Sequence, residues 1–201
     1  MSEIYFNVYS NNNMIGYHNL IVDRDNNNTI VDIDINFNVK FLGFQIYKYS
    51  HINREVWIGN QLKTLESKTS KNDGEKLYCY IKKSNGRLKI DGTNGNFEKY
   101  SQLIPSSYWN YDLVTGDNRK KMINTQDCSL IDINITKIGT EKIYNNTLNA
   151  EKFNITGKEI SGEEINIDIW YDENKNWVKM IFTKDENLIE YFLKNYDANI
   201  E

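Results

Sequence analysis

Apolar and polar side chains alternate along most of this chain, and this is the period of a half-buried β-strand. Residues 31–41, VDIDINFNVKF, alternate without error, so Val31 and Phe41 share one face while Asp32 lies on the other. The alternation changes phase at Gly43, and because glycine permits a bulge or a sharp bend, we expect the strand to bend there. Such a bend predicts a sheet that curls around packed side chains or around a ligand.

Short polar turns separate the strand-like runs at regular intervals. Each turn contains Gly, Asn or Asp, which tolerate positive φ or close the tight turns of β-hairpins. The turns lie at residues 11–16, 23–28, 59–60, 71–74, 84–86, 93–96, 161–162 and 172–176. This regular spacing of short turns is typical of an antiparallel meander. The last run, at residues 188–193, also fits a helix, but its period of two favours a strand.

One segment, residues 103–118, interrupts the strand pattern. Pro105 lies near its start, and Ser106 or Ser107 is positioned to cap a short helical turn. The sequence therefore predicts one all-β domain over residues 1–201, built on a strongly curved antiparallel sheet with a short helical or irregular crossing segment.

Composition and charge exclude several classes of function. The formal net charge is −4 with dispersed charges, so no basic stripe is present and nucleic acid is not an expected partner. No run of about eighteen apolar residues occurs, so the chain is not expected to be transmembrane. No phosphate-binding glycine loop, metal-ligand spacing or serine-nucleophile motif occurs, so no cofactor or metal is expected.

The two cysteines, Cys79 and Cys128, lie far apart in the sequence, each in an apolar-rich stretch. Neither a CxxC motif nor a histidine at metal spacing accompanies them, so a zinc site is not expected. Buried free thiols are favoured over a disulfide, because an unpaired cysteine packs as a small core hydrophobe. A disulfide is the alternative if the compartment is oxidising.

The stretch after the phase change mixes aromatic and polar side chains on one parity. The set is Tyr47, Tyr49, His51, Asn53, Glu55 and Trp57. The other parity mixes Ile52 with Arg54, so neither face predicts a clean core. Aromatic walls with a few orienting polar groups are typical of a small-molecule pocket, although ordinary cross-strand contacts explain the same pattern.

If the sheet encloses a ligand, the segment around Tyr108 and Trp109 is expected to act as a lid over it. The expected ligand contacts are Phe37, Val39, Phe41, Tyr47, Tyr49, His51, Glu55, Trp57, Tyr108, Trp109 and Trp170.

Three functions are compatible with this chain. The first is non-enzymatic binding or carriage of an apolar ligand, a lipid or an acyl chain, with about 0.8 kcal/mol from each buried methylene. The second is a structural or interaction scaffold with a self-filled core, which binds a protein partner through a sheet edge or an aromatic patch. The third is an enzyme that uses His18, His51 and Glu55 as acid/base groups, although no catalytic motif supports it. We favour the first.

Five stretches, in this order along the chain, resemble an uncharacterised family of bacterial envelope proteins that consists of a domain of unknown function. They are IGYH at 15–18, FNVKFLGFQIYKYSH at 37–51, EVWIGNQLKTLESKT at 55–69, PSSYWN at 105–110 and INIDIWYDENKNWVKM at 165–180. The resemblance implies a periplasmic or envelope-associated location if a signal peptide was removed. The start, MSEIYF, lacks the features of an export signal, and without a removed signal we expect a cytoplasmic location.

The curved antiparallel sheet is also similar to the half-barrel of lipoprotein carriers such as LolA and LolB. That resemblance implies a half-barrel whose concave face holds acyl chains, and it is a resemblance of fold.

Overall fold

The structure is a computed structural model that describes residues 1–41, 44–72, 74–99 and 103–199, with the side chains at 40–41, 44–45 and 197–199 outside this description. Within these residues the fold consists of β-strands and two short 3₁₀ helices, Tyr111–Leu113 and Lys194–Asn199. The strands are β1 (Ser2–Ser10), β2 (Asn13–Asp25), β3 (Asn28–Phe41), β4 (Phe44–Ile58), β5 (Gln61–Lys71), β6 (Glu75–Ser84), β7 (Arg87–Gly92), β8 (Gly95–Lys99), β9 (Ile104–Pro105), β10 (Arg119–Ile123), β11 (Leu130–Ile143), β12 (Leu148–Lys158), β13 (Glu164–Asp172), β14 (Trp177–Lys184) and β15 (Asn187–Leu193).

The strands hydrogen-bond in the order β8-β7-β6-β5-β4-β3-β2-β1-β15-β14-β13-β12-β11-β10-β9. Consecutive strands are neighbours in this order apart from β8 and β9, which are its two end strands, while β1 pairs with β15. Pairing is antiparallel from β2–β3 to β7–β8 and from β11–β12 to β15–β1. The predicted all-β antiparallel sheet is confirmed, including a strand at residues 187–193.

Polar turns end the strands where the sequence predicts them. Asn11, Asn26, Asn72 and Asn85 adopt left-handed backbone conformations, with φ between 48° and 51°. Asparagine accepts this conformation more readily than most residues, because its short side chain hydrogen-bonds locally. The frequent use of asparagine in this chain therefore has a direct role in reversing its strands.

The strands on either side of Gly43 form a hairpin, so the prediction of one bent strand is wrong. β3 and β4 are separate antiparallel strands that pair from Asn28 with Ile58 to Phe41 with Phe44. Gly43 itself lies outside the described residues. A bend and a reversal both interrupt the alternation, so the period of the side chains does not distinguish them.

The chain contains two compact units. The first unit contains Met1–Tyr5, Ile15–Leu103 and Ile123–Ser129, and the second contains Phe6–Met14, Ile104–Met122 and Leu130–Glu201. The organisation of residues 1–201 as one domain stays a prediction.

One face of β2–β7, called here the buried face, forms the interior of the first unit. Leu20, Val31 and Leu65 are fully buried on it. On β4 the alternation is clean, because Glu55 and its same-parity neighbours are buried while Ile52 and Arg54 are exposed. The expectation that neither face of this strand forms a core is therefore wrong. Hydrogen bonds such as that between Asn53 and Glu55 offset part of the hydration that the buried polar side chains lose.

Aromatic side chains fill the interior of the second unit. The Phe6 ring lies 4.3 Å from that of Trp177 and 6.1 Å from that of Tyr191, measured between centroids. Such tilted and edge-on contacts add to the stabilisation from buried area.

The predicted crossing segment is confirmed as short and irregular. It contains the two-residue strand β9 and the helical turn Tyr111–Leu113. The side chain of Asn110 caps this turn by accepting a hydrogen bond from Asp112 N at 3.0 Å, so the cap predicted at Ser106 or Ser107 is wrong. No helix among the described residues is long and apolar enough to cross a membrane.

Candidate functional site

Neighbouring strands of the first unit place its polar side chains in rows across the buried face. The register aligns one row on β2, β3, β4 and β5, formed by His18, Ile35, His51 and Thr69. The next rows along β4 hold Asn53 beside Ser67 and Glu55 beside Leu65. His51, Asn53 and Glu55, called here the polar row, are each at most 3% exposed. The sequence prediction thus places these three side chains correctly on one face.

Glu55 is fully buried, and side chains of its own strand hold its carboxylate. Asn53 Nδ2 donates to Glu55 Oε1 at 2.9 Å, and Trp57 Nε1 donates to Glu55 Oε2 at 2.9 Å. Residues two apart on a strand share a face, so the alternation of side chains places Asn53 and Trp57 on either side of the Glu55 carboxylate. Asn53 Oδ1 is buried without a hydrogen-bond partner among the described residues, an arrangement that costs stability.

The two histidines of the chain lie in one row, on either side of Ile35. His51 Nδ1 lies 2.8 Å from Thr69 Oγ1, and His51 Nε2 lies 3.5 Å from Thr125 Oγ1. Burial lowers the pKa of His51 to about 4. Burial, and secondarily the charge of His51, lowers the pKa of His18 to about 3. Both imidazoles are therefore neutral near pH 7.

Glu55 does not join the histidines in one acid/base group. It follows His51 by four residues on the same strand, so their Cα atoms are about 13 Å apart. Side chains that project in parallel from one face keep about this separation, whereas a general base must approach its proton within about 3 Å. The structure places His18 and His51 in one row, with Ile35 between them, and supports no direct proton transfer between either histidine and Glu55.

The buried face opens toward the end of β3 and the start of β4. Phe37, Val39 and Tyr47 are half-buried there, whereas Trp57 at the other end of β4 is 1% exposed. The Tyr49 ring stacks against Phe37 at 5.4 Å and against Tyr47 at 6.4 Å. Phe37, Val39, Tyr47 and Tyr49 are called here the aromatic end. The result is an apolar wall of parallel rings beside the polar row.

The segment Ile123–Ser129, called here the returning segment, contacts the polar side chains of the buried face. Ser67 Oγ donates a hydrogen bond to Thr125 O, while Thr125 Oγ1 faces His51 Nε2. Further along, Asn94 Nδ2 donates to Asp127 Oδ2 at 2.8 Å. The returning segment therefore covers part of the row that contains His51.

A disulfide joins Cys79 on β6 to Cys128 in the returning segment, across 49 positions of sequence. The interpretation of both cysteines as free thiols is therefore wrong. Gly92 and Gly95 give the segment room, because a Cβ at Gly92 would lie 2.5 Å from Cys128 Cβ and one at Gly95 would lie 2.2 Å from Cys128 O. No local pattern indicates that the chain returns to β6 after the crossing segment, and this is why the pairing was missed.

Other buried polar side chains of this site were also missed. They are Ser67, Thr69, Asn124 and Thr125. The burial of Ser67 and Thr69 has a signal in the sequence, because small hydroxyl residues alternate with charged residues in LESKTSK at 65–71. Such an alternation predicts a buried polar face. Asn124 and Thr125 lie in a loop and have no period to reveal them.

The remaining predicted ligand contacts do not belong to the described part of the aromatic end or the polar row. The side chain of Phe41 lies outside the described residues. Tyr108, Trp109 and Trp170 belong to the second unit. Contact of any predicted residue with a ligand stays a prediction.

The segment expected to act as a lid is anchored within the second unit. The Tyr108 ring lies 5.8 Å from that of Trp177, and Tyr171 Oη donates to Tyr108 O at 2.7 Å. Burial raises the pKa of Tyr108 well above its usual range. Tyr111 Oη donates to Glu151 Oε2 at 2.5 Å.

Trp170 contacts a different cluster of the second unit. Its neighbours there are Ile143, Ala150 and Val178. Its indole Nε1 donates to Glu141 Oε1 at 2.5 Å. The structure therefore does not bring Trp170 together with Tyr108, because each contacts other side chains. Among the described residues, no group of three or more His, Cys, Asp or Glu side chains is placed to hold a metal ion.

Comparison with known proteins identifies a family and a fold. Residues 6–194 match the family described as Domain of unknown function (DUF6134). No curated protein matches the chain. The chain is similar in structure to a beta-barrel-like protein of Domain of Unknown Function DUF1849 from Brucella abortus, with a TM-score of 0.68 and 8% identity over 95% of this chain and 94% of that chain. At this identity the similarity shows the fold alone, and it agrees with the predicted all-β architecture.

Proposed function

Because the chain belongs to the DUF6134 family, whose function is unknown, we propose its function from its own geometry. We propose that it binds or carries an apolar small molecule, such as a lipid or an acyl chain, at the aromatic end of the first unit. No chemical reaction is part of this proposal.

One observation carries the proposal: the aromatic end is half-buried, although it continues a face that is fully buried elsewhere. A face that only fills itself has no need of stacked aromatic rings at an open end. Each 100 Å² of apolar surface that a ligand covers there contributes about 2.5 kcal/mol to binding. The neutral imidazole of His51, whose ring stacks on Tyr49 at 6.4 Å, lies next to this wall and adds a polar group that orients the ligand.

We also propose an oxidising compartment for the protein, the periplasm or the cell envelope. The disulfide between Cys79 and Cys128 supports this location, because disulfides persist in oxidising compartments and are rare in the cytosol. We extend the proposal to an acyl ligand by analogy with the half-barrel carriers LolA and LolB, an analogy that rests on the predicted resemblance of fold.

Native mass spectrometry of the purified protein, followed by organic extraction, tests the binding role. We expect a stoichiometric apolar molecule, whose affinity falls at least tenfold in the variant Phe37→Ala/Tyr47→Ala. These two side chains are half-buried, so their removal leaves the core intact. Trp57→Ala is less informative, because it opens a cavity at a residue that is 1% exposed.

Tyr17→Ala is the matched control. Tyr17 is also a half-buried tyrosine of the first unit, but it neighbours His18 and projects to the other face, where its hydroxyl donates to Asp34 Oδ2 at 3.1 Å. Binding should survive this substitution. A mass without ligand that stays unchanged after incubation with lipid extracts would contradict the proposal and favour the scaffold with a self-filled core.

A further inference from the structure

The exposed face of the first unit carries a depression that the proposed function does not use. It lies over β4, β5 and β6 and has a volume of 630 Å³. Small-molecule sites commonly occupy about 300–1,000 Å³. Because side chains alternate between the faces of a strand, Ile52 lines this outer depression while its neighbours His51 and Asn53 point to the buried face.

Large apolar side chains line the outer depression. Ile52 is 55% exposed, and the rings of Tyr78 and Tyr80 lie 5.2 Å apart with an angle of 35° between them. The register places Ile52 and Tyr78 on either side of Lys68. Exposed apolar side chains that cluster in this way mark binding surfaces more often than isolated ones do.

The charged side chains that line the outer depression are lysines, while Asp34 adjoins Ile52 in the register and Glu66 precedes Lys68 by two residues on the same face. Lys68 and Lys76 line it, and none of its described lining residues is acidic. Within the described part of the chain neither lysine forms an ion pair, whereas nearby Arg54 pairs with Asp32 at 2.7 Å. The small side chains of Ser50 and Ser70 adjoin Lys76 in the register and leave space above the strands.

We propose that the outer depression binds a soluble anionic amphiphile, a single molecule with an apolar chain and one carboxylate. The chain lies against Ile52 and the tyrosine pair, and the carboxylate lies between the two lysine ammonium groups. The recess favours one molecule over a flat membrane surface, and the lysines favour an anion over a neutral lipid. This site is independent of the aromatic end, because the two lie on opposite faces of β4.

Calorimetric titration with dodecanoate and with the uncharged dodecanol, both below the concentration at which they form micelles, tests the proposal. We expect dodecanoate to bind at least threefold more tightly than dodecanol. In Lys68→Gln/Lys76→Gln the affinity for dodecanoate falls about threefold to tenfold, as expected for two exposed charge contacts, while that for dodecanol is unchanged. In Tyr78→Ala/Tyr80→Ala the affinity for both probes falls at least tenfold.

Two further variants keep the test independent of folding and of net charge. Lys82→Gln/Lys142→Gln removes the same charge from two exposed lysines outside the depression and should bind as the wild type does. Ser70→Phe keeps every proposed contact but fills the recess, so it should remove the binding of both probes at the outer depression and leave any binding at the aromatic end.

Three results would overturn the proposal. Equal affinity for the two probes would show that the carboxylate does not contribute to binding. Unchanged binding of dodecanoate in the lysine variant would show that the carboxylate does not lie between Lys68 and Lys76. Loss of dodecanoate binding in Phe37→Ala/Tyr47→Ala, with the tyrosine variant unaffected, would assign the molecule to the aromatic end instead. That last result would support the proposed function, so the two proposals fail separately.

Discussion

The two histidines give the folded protein a specific sensitivity to acid. Their pKa values in the folded state are about 3 for His18 and about 4 for His51, against about 6.5 in an unfolded chain. Below pH 6.5 the unfolded state therefore binds protons that the folded state does not. Their contribution to stability is complete above pH 6.5 and is lost progressively as the pH falls toward the folded pKa values.

We expect the free energy of unfolding to fall by up to about 1.4 kcal/mol per pH unit for each histidine between pH 6.5 and 5. Urea denaturation at several pH values measures this slope. The variant His51→Gln should show about half of it, even if it is less stable at every pH. An unchanged slope in that variant would contradict the assignment. The window lies above the usual pKa of carboxylic acids, so few other groups contribute.

The face on which a side chain lies was predictable from the sequence, whereas its burial was not. The side chains of His51, Asn53 and Glu55 were assigned to one face because alternation depends only on local geometry. Their complete burial was not predicted, because it depends on partners such as Thr69 and Thr125 from elsewhere in the chain. A polar side chain is buried when such partners exist, and a single strand does not reveal them.

At the scale of an element, the returning segment depends on a close backbone approach. It keeps a tight conformation in which Cys128 N donates to Asn124 O at 2.9 Å and Cys128 adopts a φ of +64°. Gly95 lies directly beneath it, because a Cβ there would meet Cys128 O. Glycine at this position is therefore needed for its lack of a side chain.

We expect Gly95→Ala to displace the returning segment and to lower the free energy of unfolding by about 1–3 kcal/mol, as overpacking does. Gly74→Ala is the control, because a Cβ at Gly74 would lie 3.8 Å from its nearest described neighbour, Asn72 O, which is an ordinary van der Waals contact. Urea denaturation gives the two stabilities, and amide hydrogen exchange in residues 123–129 gives the displacement. Equal effects of the two substitutions would contradict this account.

The strands themselves were largely predictable, and their connections were less so. Alternation and asparagine-rich turns predicted most of the strands, but not β9 and β10, which lie in and just after the crossing segment. The hairpin between β3 and β4 was mistaken for a bend, because the local signal of both is a loss of phase. Pairings between distant segments, such as β1 with β15, have no local signal at all.

For the whole molecule, each compact unit is assembled from three separate stretches of the chain. The sequence predicted one all-β organisation but not this division, because composition and period are the same in both units. The pairing of Phe6 with Leu193 in the second unit joins stretches from the two ends of the sequence. No boundary between domains is visible in such a sequence, since neither unit is continuous.

The disulfide has a consequence for a chain that has been cut. Residues 116–119 are exposed, and trypsin cleaves after Arg119, which lies between Cys79 and Cys128. We expect the two fragments of a chain that is cut once at this loop, 1–119 and 120–201, to migrate as one band in a denaturing gel without reductant and as two bands after reduction. Two bands without reductant would show that the cysteines are not joined. A protease that reaches this loop would therefore break the polypeptide without releasing either piece.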